Sequence, residues 1–493
     1  MSILSTRSPQ CFTIFKRSLI QTEGLPLTEV LDDQLIADVF QEEGIKFGLA
    51  DEDVFTPAIT MWAMISQFLF SGKGRTVKAA AGRVVSLWAQ IGNRVVAQNA
   101  GNYCRAKAKI PVTAIKKITR LLASQAELHS QPLDNFQIPL EADQAEDRKS
   151  PAVIAAIRTQ PLKGRIINVD GFTVDAPDTA ENQAVYPQNP VQAEGLGFPI
   201  LRCVGLISMM TGLLIDLATA PYSGKGSGET NLLRQLKSSL REGDILVADS
   251  YYCTYWLVAM CLSMGVQIVM KNHHKRDDHP LGAKRLSDCD QSTVWLRPDR
   301  PKWMSKKEYK KTCETLTIRL SEVAIQSTGS RCTSFTIATT MLDCEMYPSQ
   351  WIGSLYEGRW IIEPDIESIK CTMGLEHQRS LTPAGIEQDL WTGLMTYNLV
   401  RAKMLQSGFA TNREIRSMSF TETYQLLSTN WLLCACVGVS PAMATASQAQ
   451  GVVAIVGNRP GRIEPRENKR RPKVLKLMKI PRRQFHAALA APS

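Results

Sequence analysis

The stretches Arg165-Ile-Ile-Asn-Val-Asp170 and Asp244-Ile-Leu-Val-Ala-Asp249 decide the fold. Each is a short apolar run that closes on a carboxylate. The first reads as a strand over Arg165–Val169 ending in Asp170, the second as a strand over Asp244–Ala248 ending in Asp249. Between them lie two further apolar runs, Pro199–Ser208 and Leu213–Ala220, joined through Met209–Gly212 as a hairpin, and then a helix over Glu229–Leu240. After Asp249, the apolar segment Tyr252–Met270 is interrupted by Ser263, Gly265 and Gln267. It reads as a buried helix, a glycine stop and a strand over Val266–Met270, not as a membrane span. The order β-β-β-α-β-α-β is a mixed α/β pattern. Its two strand-end aspartates point to the edge where open α/β sheets bind ligands.

Either aspartate alone would be read as a turn or helix cap. Two at the ends of neighbouring strands repel each other, and one would titrate high unless cations intervene. Two Mg²⁺ ions about 3.5–4 Å apart are the usual device for cutting and transferring phosphodiesters, and a third carboxylate completes such a site. The candidate lies in Tyr356-Glu-Gly-Arg359-Trp-Ile-Ile-Glu363-Pro-Asp-Ile-Glu-Ser-Ile-Lys370. On a continuous helix, Tyr356, Arg359, Glu363 and Lys370 would fall within about 60° of one another. A carboxylate flanked by two cations and a phenol suits metal binding beside a phosphate; the bland alternative is a surface helix with i,i+4 ion pairs. Pro364 disfavours helical dihedrals at Glu363, so a helix is expected to begin at Pro364 with Glu363 just before it. Glu367, one turn on, is the substitute ligand should Glu363 be misaimed.

Working outward, 493 residues correspond to about three domains. A chain with 44% hydrophobic and 21% charged residues is not largely disordered, collagenous or a small disulfide scaffold. The net charge of +10 is unevenly spread. Residues 54–126 contain eleven Lys or Arg and no acid, and residues 456–486 contain eleven against two Glu, which leaves the middle acidic. A solvated face would mix signs, so the first segment is read as a DNA-binding module. Thr56-Pro57 opens a helix with Ile59, Trp62, Ile65 and Leu69 on one face and a stop at Gly72. A second helix covers Thr76–Ala89. A third opens at Pro111 with Ile115, Ile118 and Leu122 inside and Lys116, Lys117 and Arg120 outside, as DNA contacts. Residues 140–160 read as a linker, 271–345 as a mostly β insertion with strands over Thr315–Val323 and Ser334–Met341, Tyr356–Arg401 as helical, and 456–486 as a flexible cationic tail. The expected domains are therefore 1–145 (helical, DNA-binding), 160–272 (first part of the core), 273–345 (insertion), 346–430 (second part, with the catalytic Glu) and 431–493 (C-terminal segment and basic tail).

Other features read plainly. Twelve cysteines without a CxxC pair, and an N-terminus without a secretory pattern, point to free thiols in a reducing cytosol. Lys271-Asn-His-His-Lys-Arg276 lacks the spacing of a zinc site and is read as a basic DNA-contacting turn. Gly224–Gly228 lacks the ending of a phosphate loop. Glu229 is placed to start a helix rather than to bind metal. Cys434 and Cys436 are packing thiols.

The spacing Tyr-x2-Arg-x3-Glu-x6-Lys, met by Tyr356, Arg359, Glu363 and Lys370, resembles the signature of the DDE transposases of the insertion-sequence-four group. The blocks Asp170-Gly-Phe-Thr-Val-Asp-Ala-Pro-Asp-Thr-Ala-Glu-Asn182 and Val-Ala-Asp249-Ser-Tyr-Tyr-Cys-Thr-Tyr-Trp256 resemble those around that group's first two catalytic aspartates. The order of the blocks and the basic C-terminal end agree, over about residues 55–483. The resemblance implies a ribonuclease-H-like core with a β insertion before the glutamate. It implies that Asp170, Asp249 and Glu363 hold two Mg²⁺ or Mn²⁺ ions, and that Tyr356, Arg359 and Lys370 hold terminal phosphates. Trp295 or Trp303 would stack on a flipped base. It further implies cut-and-paste transposition of double-stranded DNA, by nicking, hairpin formation and strand transfer at inverted repeats, by a homodimer in the bacterial cytoplasm at the nucleoid. The rival readings are a transposase-derived DNA-binding protein that has lost its chemistry and a plain Mg²⁺-dependent DNA nuclease.

Overall fold

The computed structural model describes residues 12, 14, 18, 33–50, 53–90, 99–130, 149–160, 164–273, 283–324, 334–411, 413–437, 479–481, 483–484 and 487–488. Most of the basic tail, most of the linker and positions 274–279 of the histidine-containing turn lie outside the described residues. Among those described, the chain begins with the helices α1 (Asp33–Glu42), α2 (Pro57–Leu69), α3 (Val77–Gln90), α4 (Ala100–Lys107) and α5 (Val112–Ser130). Then follow α6 (Lys149–Ile157), β1 (Ile166–Asp175), α7 (Ala180–Val185), β2 (Ile200–Ser208), β3 (Leu214–Pro221), α8 (Glu229–Gln235), β4 (Ile245–Ala248), α9 (Tyr255–Ser263) and β5 (Gln267–Lys271). The next segment supplies β6 (Lys284–Arg285), β7 (Asp290–Leu296), α10 (Lys306–Lys311), β8 (Thr315–Ala324) and β9 (Ser334–Thr339). The chain continues through α11 (Ser349–Glu357), a 3₁₀ turn Gly358–Ile361, α12 (Ile362–Glu367), a π-turn Ser368–Thr372, α13 (Pro383–Thr411) and α14 (Phe420–Val437). Residues group into two compact units, 1–140 with 211–215 and 365–457, and 141–210 with 216–364 and 458–493.

The second unit is built on a mixed nine-stranded sheet ordered β3-β2-β1-β4-β5-β9-β8-β7-β6. β1, β4 and β5 are parallel to one another, and β1/β2, β5/β9, β8/β9, β7/β8 and β6/β7 are antiparallel. The expected strand order is met, with the short helix α7, capped by Thr179, added between β1 and β2. One correction concerns β1. It does not end at Asp170 but runs on to Asp175, because β2 pairs with it over its whole length from Ile167↔Ser208 to Asp175↔Ile200. Only the pairing with β4 stops early, at Asn168↔Val247. The helix after Gly228 is also shorter than expected, ending at Gln235 before a 3₁₀ turn Lys237–Ser239. The β-rich segment 284–339 extends the same sheet, since Val269 of β5 pairs with Thr339 of β9. A buried ion pair, Arg319 Nε to Asp290 Oδ1 at 2.7 Å, ties β7 to β8.

In the first unit, α2 starts as its sequence demands: the Thr56 hydroxyl accepts from the Ile59 amide at 3.3 Å and Pro57 takes the first helical position. All thirteen of its residues are buried, not one face alone. The Trp62 ring stacks on Trp431 of α14 at 5.6 Å. Ile115, Ile118 and Leu122 of α5 face the core as expected. No helix among the described residues is long and apolar enough to cross a membrane.

Candidate active site

The parallel register fixes the two aspartates. Asn168 of β1 lies opposite Val247 of β4. Asp170 and Asp249 each follow two residues after this pair, Asp170 within β1 and Asp249 just past the end of β4, close enough for the Asp249 charge to act on Asp170. Both carboxylates are held by the following backbone: Gly171 N–H donates to Asp170 Oδ1 at 2.8 Å and Tyr251 N–H to Asp249 Oδ1 at 2.9 Å. Both residues are half-buried. Burial raises the Asp170 pKa, and the charges of Asp249 and Glu229 push the same way against the Gly171 amide and Arg359.

α11 packs on one face of these strands. Ile166, Ile245, Val247 and Val269 of the strands form one buried cluster with Trp351, Ile352, Leu355, Tyr356 and Ile361. Trp351 Nε1 donates to the Ile157 carbonyl at 2.8 Å, fixing α11 to α6. The chain then tightens into the 3₁₀ turn. Gly358 leaves room there for the Met209 side chain, whose Sδ would lie 2.5 Å from a Cβ at this position. The Gly358 carbonyl accepts from Asn168 Nδ2 at 3.0 Å. Arg359 follows, stacked 5.0 Å from the Trp360 ring centroid, and its Nη2 lies 3.7 Å from Glu363 Oε1. Glu363 is 58% exposed. Here the structure corrects a second expectation. α12 begins at Ile362, not at Pro364, so Glu363 is inside the first turn and Pro364 occupies a position where its missing N–H has no helical partner to lose. The run is also not one continuous helix, because the 3₁₀ turn changes the angular offset between Tyr356 and Glu363.

Glu229 begins α8 as expected. Its carboxylate also accepts from the buried Tyr252 hydroxyl at 3.0 Å and occupies the space a Gly171 Cβ would fill, 2.5 Å from that position. Burial, then the Glu229 charge, holds the Tyr252 phenol well above its ordinary pKa. The residues that sequence reasoning did not single out are Asn168 and Gly358; the only signal was an amide inside an otherwise apolar strand.

The other predicted contacts are placed as follows. Trp303 is 49% exposed, with the Arg234 guanidinium 3.8 Å from its ring centroid and Trp256 edge-on at 6.3 Å. One face of the proposed base platform is thus already covered. Trp295 lies half-buried on β7. In the helical unit Lys116 pairs with Glu387 and lies over the Trp391 ring, as Arg120 does, and Lys117 pairs with Glu42. The expected open cationic face of α5 is therefore partly neutralised within the unit. Lys370, on the π-turn, pairs with Glu376 at 3.1 Å.

Among the described residues no three His, Cys, Asp or Glu side chains are gathered tightly enough to enclose an ion. The donor set nevertheless fits a hard divalent cation: it is all carboxylate oxygen, and the mutual repulsion at Asp170 is what such a cation would relieve.

Residues 161–399 match the family model described as "Transposase DDE domain". The chain is 25% identical over 328 residues, 62% of its own length and 68% of the relative's, to "Transposase InsG for insertion sequence element IS4" of Escherichia coli strain K12. A solved structure, the piggyBac transposase synaptic complex with hairpin DNA, aligns over 91% of this chain and 86% of that one with TM-score 0.41 and 9% identity. The protein is a DNA transposase, an enzyme that cleaves DNA and transfers strands. Its similarity is to the DDE transposases of the insertion-sequence-four group.

Proposed function

We propose that this transposase works by cut-and-paste, with Asp170, Asp249 and Glu363 holding two Mg²⁺ or Mn²⁺ ions at the ends of its element. The observation that carries this reading is the β1/β4 register, from which Asp170 and Asp249 each follow two residues on, beside a strand face on which Tyr356 and Ile361 pack. We read the β3-β2-β1-β4-β5 part of the sheet as a ribonuclease-H-like core, and residues 1–145 as the domain that grips the inverted repeats. When bound, the ions polarise the scissile phosphoryl group and lower the pKa of the attacking water. The chain's own groups do the rest. The Gly171 and Tyr251 amides orient the two aspartates. Arg359 exchanges Glu363 for a phosphate oxygen, which frees that carboxylate to turn toward Asp170, and its fork can bind phosphate with paired donors. Tyr356 packs beside Arg359 and limits its rotamers. Lys370 and an exposed face of Trp303 hold flanking DNA. Cutting two ends together calls for a homodimer on double-stranded DNA, acting in the bacterial cytoplasm at the nucleoid.

Incubation with Mg²⁺ and DNA carrying the element's ends tests this. Nicks with 3′-hydroxyls, then hairpins and joined products, are expected. Binding without nicking, unchanged by Asp170→Ala, would establish the inactive DNA-binding protein. Cuts without hairpins, joining or preference for the ends would establish a plain nuclease.

The basic segments give a second prediction. Each phosphate neutralised contributes about 0.9 to the slope of log affinity against log salt. Deleting residues 456–493, which remove eleven Lys or Arg within 456–486, is expected to flatten that slope by several units. An unchanged slope excludes the tail from the interface.

A further inference from the structure

We propose that Asn168 is a positioning residue for the third acid, clamping the turn that carries Arg359 and Glu363 onto the strand that carries Asp170. This rests on the reading of Asp170, Asp249 and Glu363 as one cation site. Asn168 is fully buried in β1, between Ile167 and Val169 and two residues before Asp170 on the same face. A buried amide costs free energy unless it is used, and a β-branched apolar side chain would serve that strand better. What the amide does is donate through Nδ2 to the Gly358 carbonyl at 3.0 Å, across 190 residues of sequence. Gly358 lets the 3₁₀ turn lie this close with the Met209 side chain undisturbed, since a Cβ there would stand 2.5 Å from Met209 Sδ. Arg359 is the next residue, and Glu363 lies one turn further on.

Two polar atoms beside this contact are buried and unpaired: Asn168 Oδ1, an acceptor, and Arg359 Nε, a donor. Leaving such atoms unpaired costs about 1–3 kcal/mol each. They have the polarity that a cation's water and a phosphate oxygen would satisfy. The clamp therefore holds a surface that is completed by ligand rather than by the protein.

The test is Mn²⁺ alone, titrated into the full chain without DNA and read as thermal stabilisation. Glu363→Gln is expected to raise the Mn²⁺ half-saturation concentration about tenfold, as loss of a ligand or its support does. Asn168→Val is expected to do the same, although it introduces no charge and removes an unpaired acceptor. The double variant should be no worse than either single one, because both changes remove the same carboxylate from the site. Additive effects, or an unchanged half-saturation in Asn168→Val, would overturn the clamp and show that the amide serves the fold alone. Should Asn168→Val fail to fold, Asn168→Ser is shorter and also removes the donor to the Gly358 carbonyl; a tenfold rise supports the clamp and no rise overturns it. If neither Asp170→Asn nor Glu363→Gln alters Mn²⁺ stabilisation, the cation site itself is misplaced and the clamp falls with it.

Discussion

Asp249→Asn is expected to lower the rate of strand cleavage by a thousandfold or more while DNA binding stays within a few-fold of the parent. The change is nearly isosteric. Asn keeps an oxygen for the Tyr251 amide that now donates to Asp249 at 2.9 Å, so the turn after β4 should persist. What is lost is a formal charge on the face that carries Asp170. Stabilisation of phosphoryl charge by bound cations is worth several kcal/mol, and each 1.36 kcal/mol is about tenfold in rate. Phosphate contacts made by Lys and Arg elsewhere set the DNA affinity and are untouched. Cleavage of end-bearing DNA in Mg²⁺, measured beside binding of the same DNA, checks both halves. Cleavage within tenfold of the parent would remove Asp249 from the cation site. Arg359→Ala should behave differently. It releases Glu363 from its 3.7 Å partner, so weaker binding of terminal phosphates is expected together with slower cleavage.

The strands that lead to Asp170 and Asp249 were legible because they are continuous apolar runs ending in a charge. The extension of β1 past Asp170 was not, because Asp170-Gly171 reads as a turn when nothing shows that β2 supplies a ladder on one side. Local propensity lost there to tertiary pairing. Helix α4 was missed for a related reason: Gly101 and Asn102 are poor helix formers, and the Asn99 cap that starts it is visible only as a hydrogen bond to Asn102. The four-residue signature picks out Tyr356, Arg359, Glu363 and Lys370 by spacing alone; the expectation that a helix begins at Pro364 failed because proline is tolerated within a helix's first turn as well as at its start. Asn168 was invisible in principle. Its meaning depends on Gly358 lying beside it, and no one-dimensional spacing encodes an approach across 190 residues. Charge counting behaved worst. It counted Lys116 and Lys117 as free cations, whereas acids from distant parts of the helical unit meet them.

Asp365→Ala is expected to cost about 3–5 kcal/mol of stability, the range for stripping one partner from a buried ion network. Asp365, two residues after Glu363, is 1% exposed. It accepts from Arg401 Nη2 and from Arg416 Nη1, the latter at 2.8 and 3.0 Å. Arg401 Nε also donates to Tyr397 Oη at 3.0 Å, and that hydroxyl donates to the Gly212 carbonyl at 2.7 Å. Gly212 has φ +76°, and a Cβ there would stand 2.8 Å from Arg401 Nε. Two buried guanidinium groups thus share the Asp365 carboxylate. Removing that carboxylate takes from two buried guanidinium groups an anionic partner that offsets their desolvation. Asp365→Asn keeps the acceptor oxygen but not the charge and should fall between. The exposed pair Arg285–Asp288, with side chains 75% and 93% exposed, is the internal control, because such pairs contribute about 0–1 kcal/mol. Urea unfolding of the three variants separates the cases. A cost below about 1 kcal/mol for Asp365→Ala would mean that water already reaches the two arginines, and that burial here does not carry the usual electrostatic penalty.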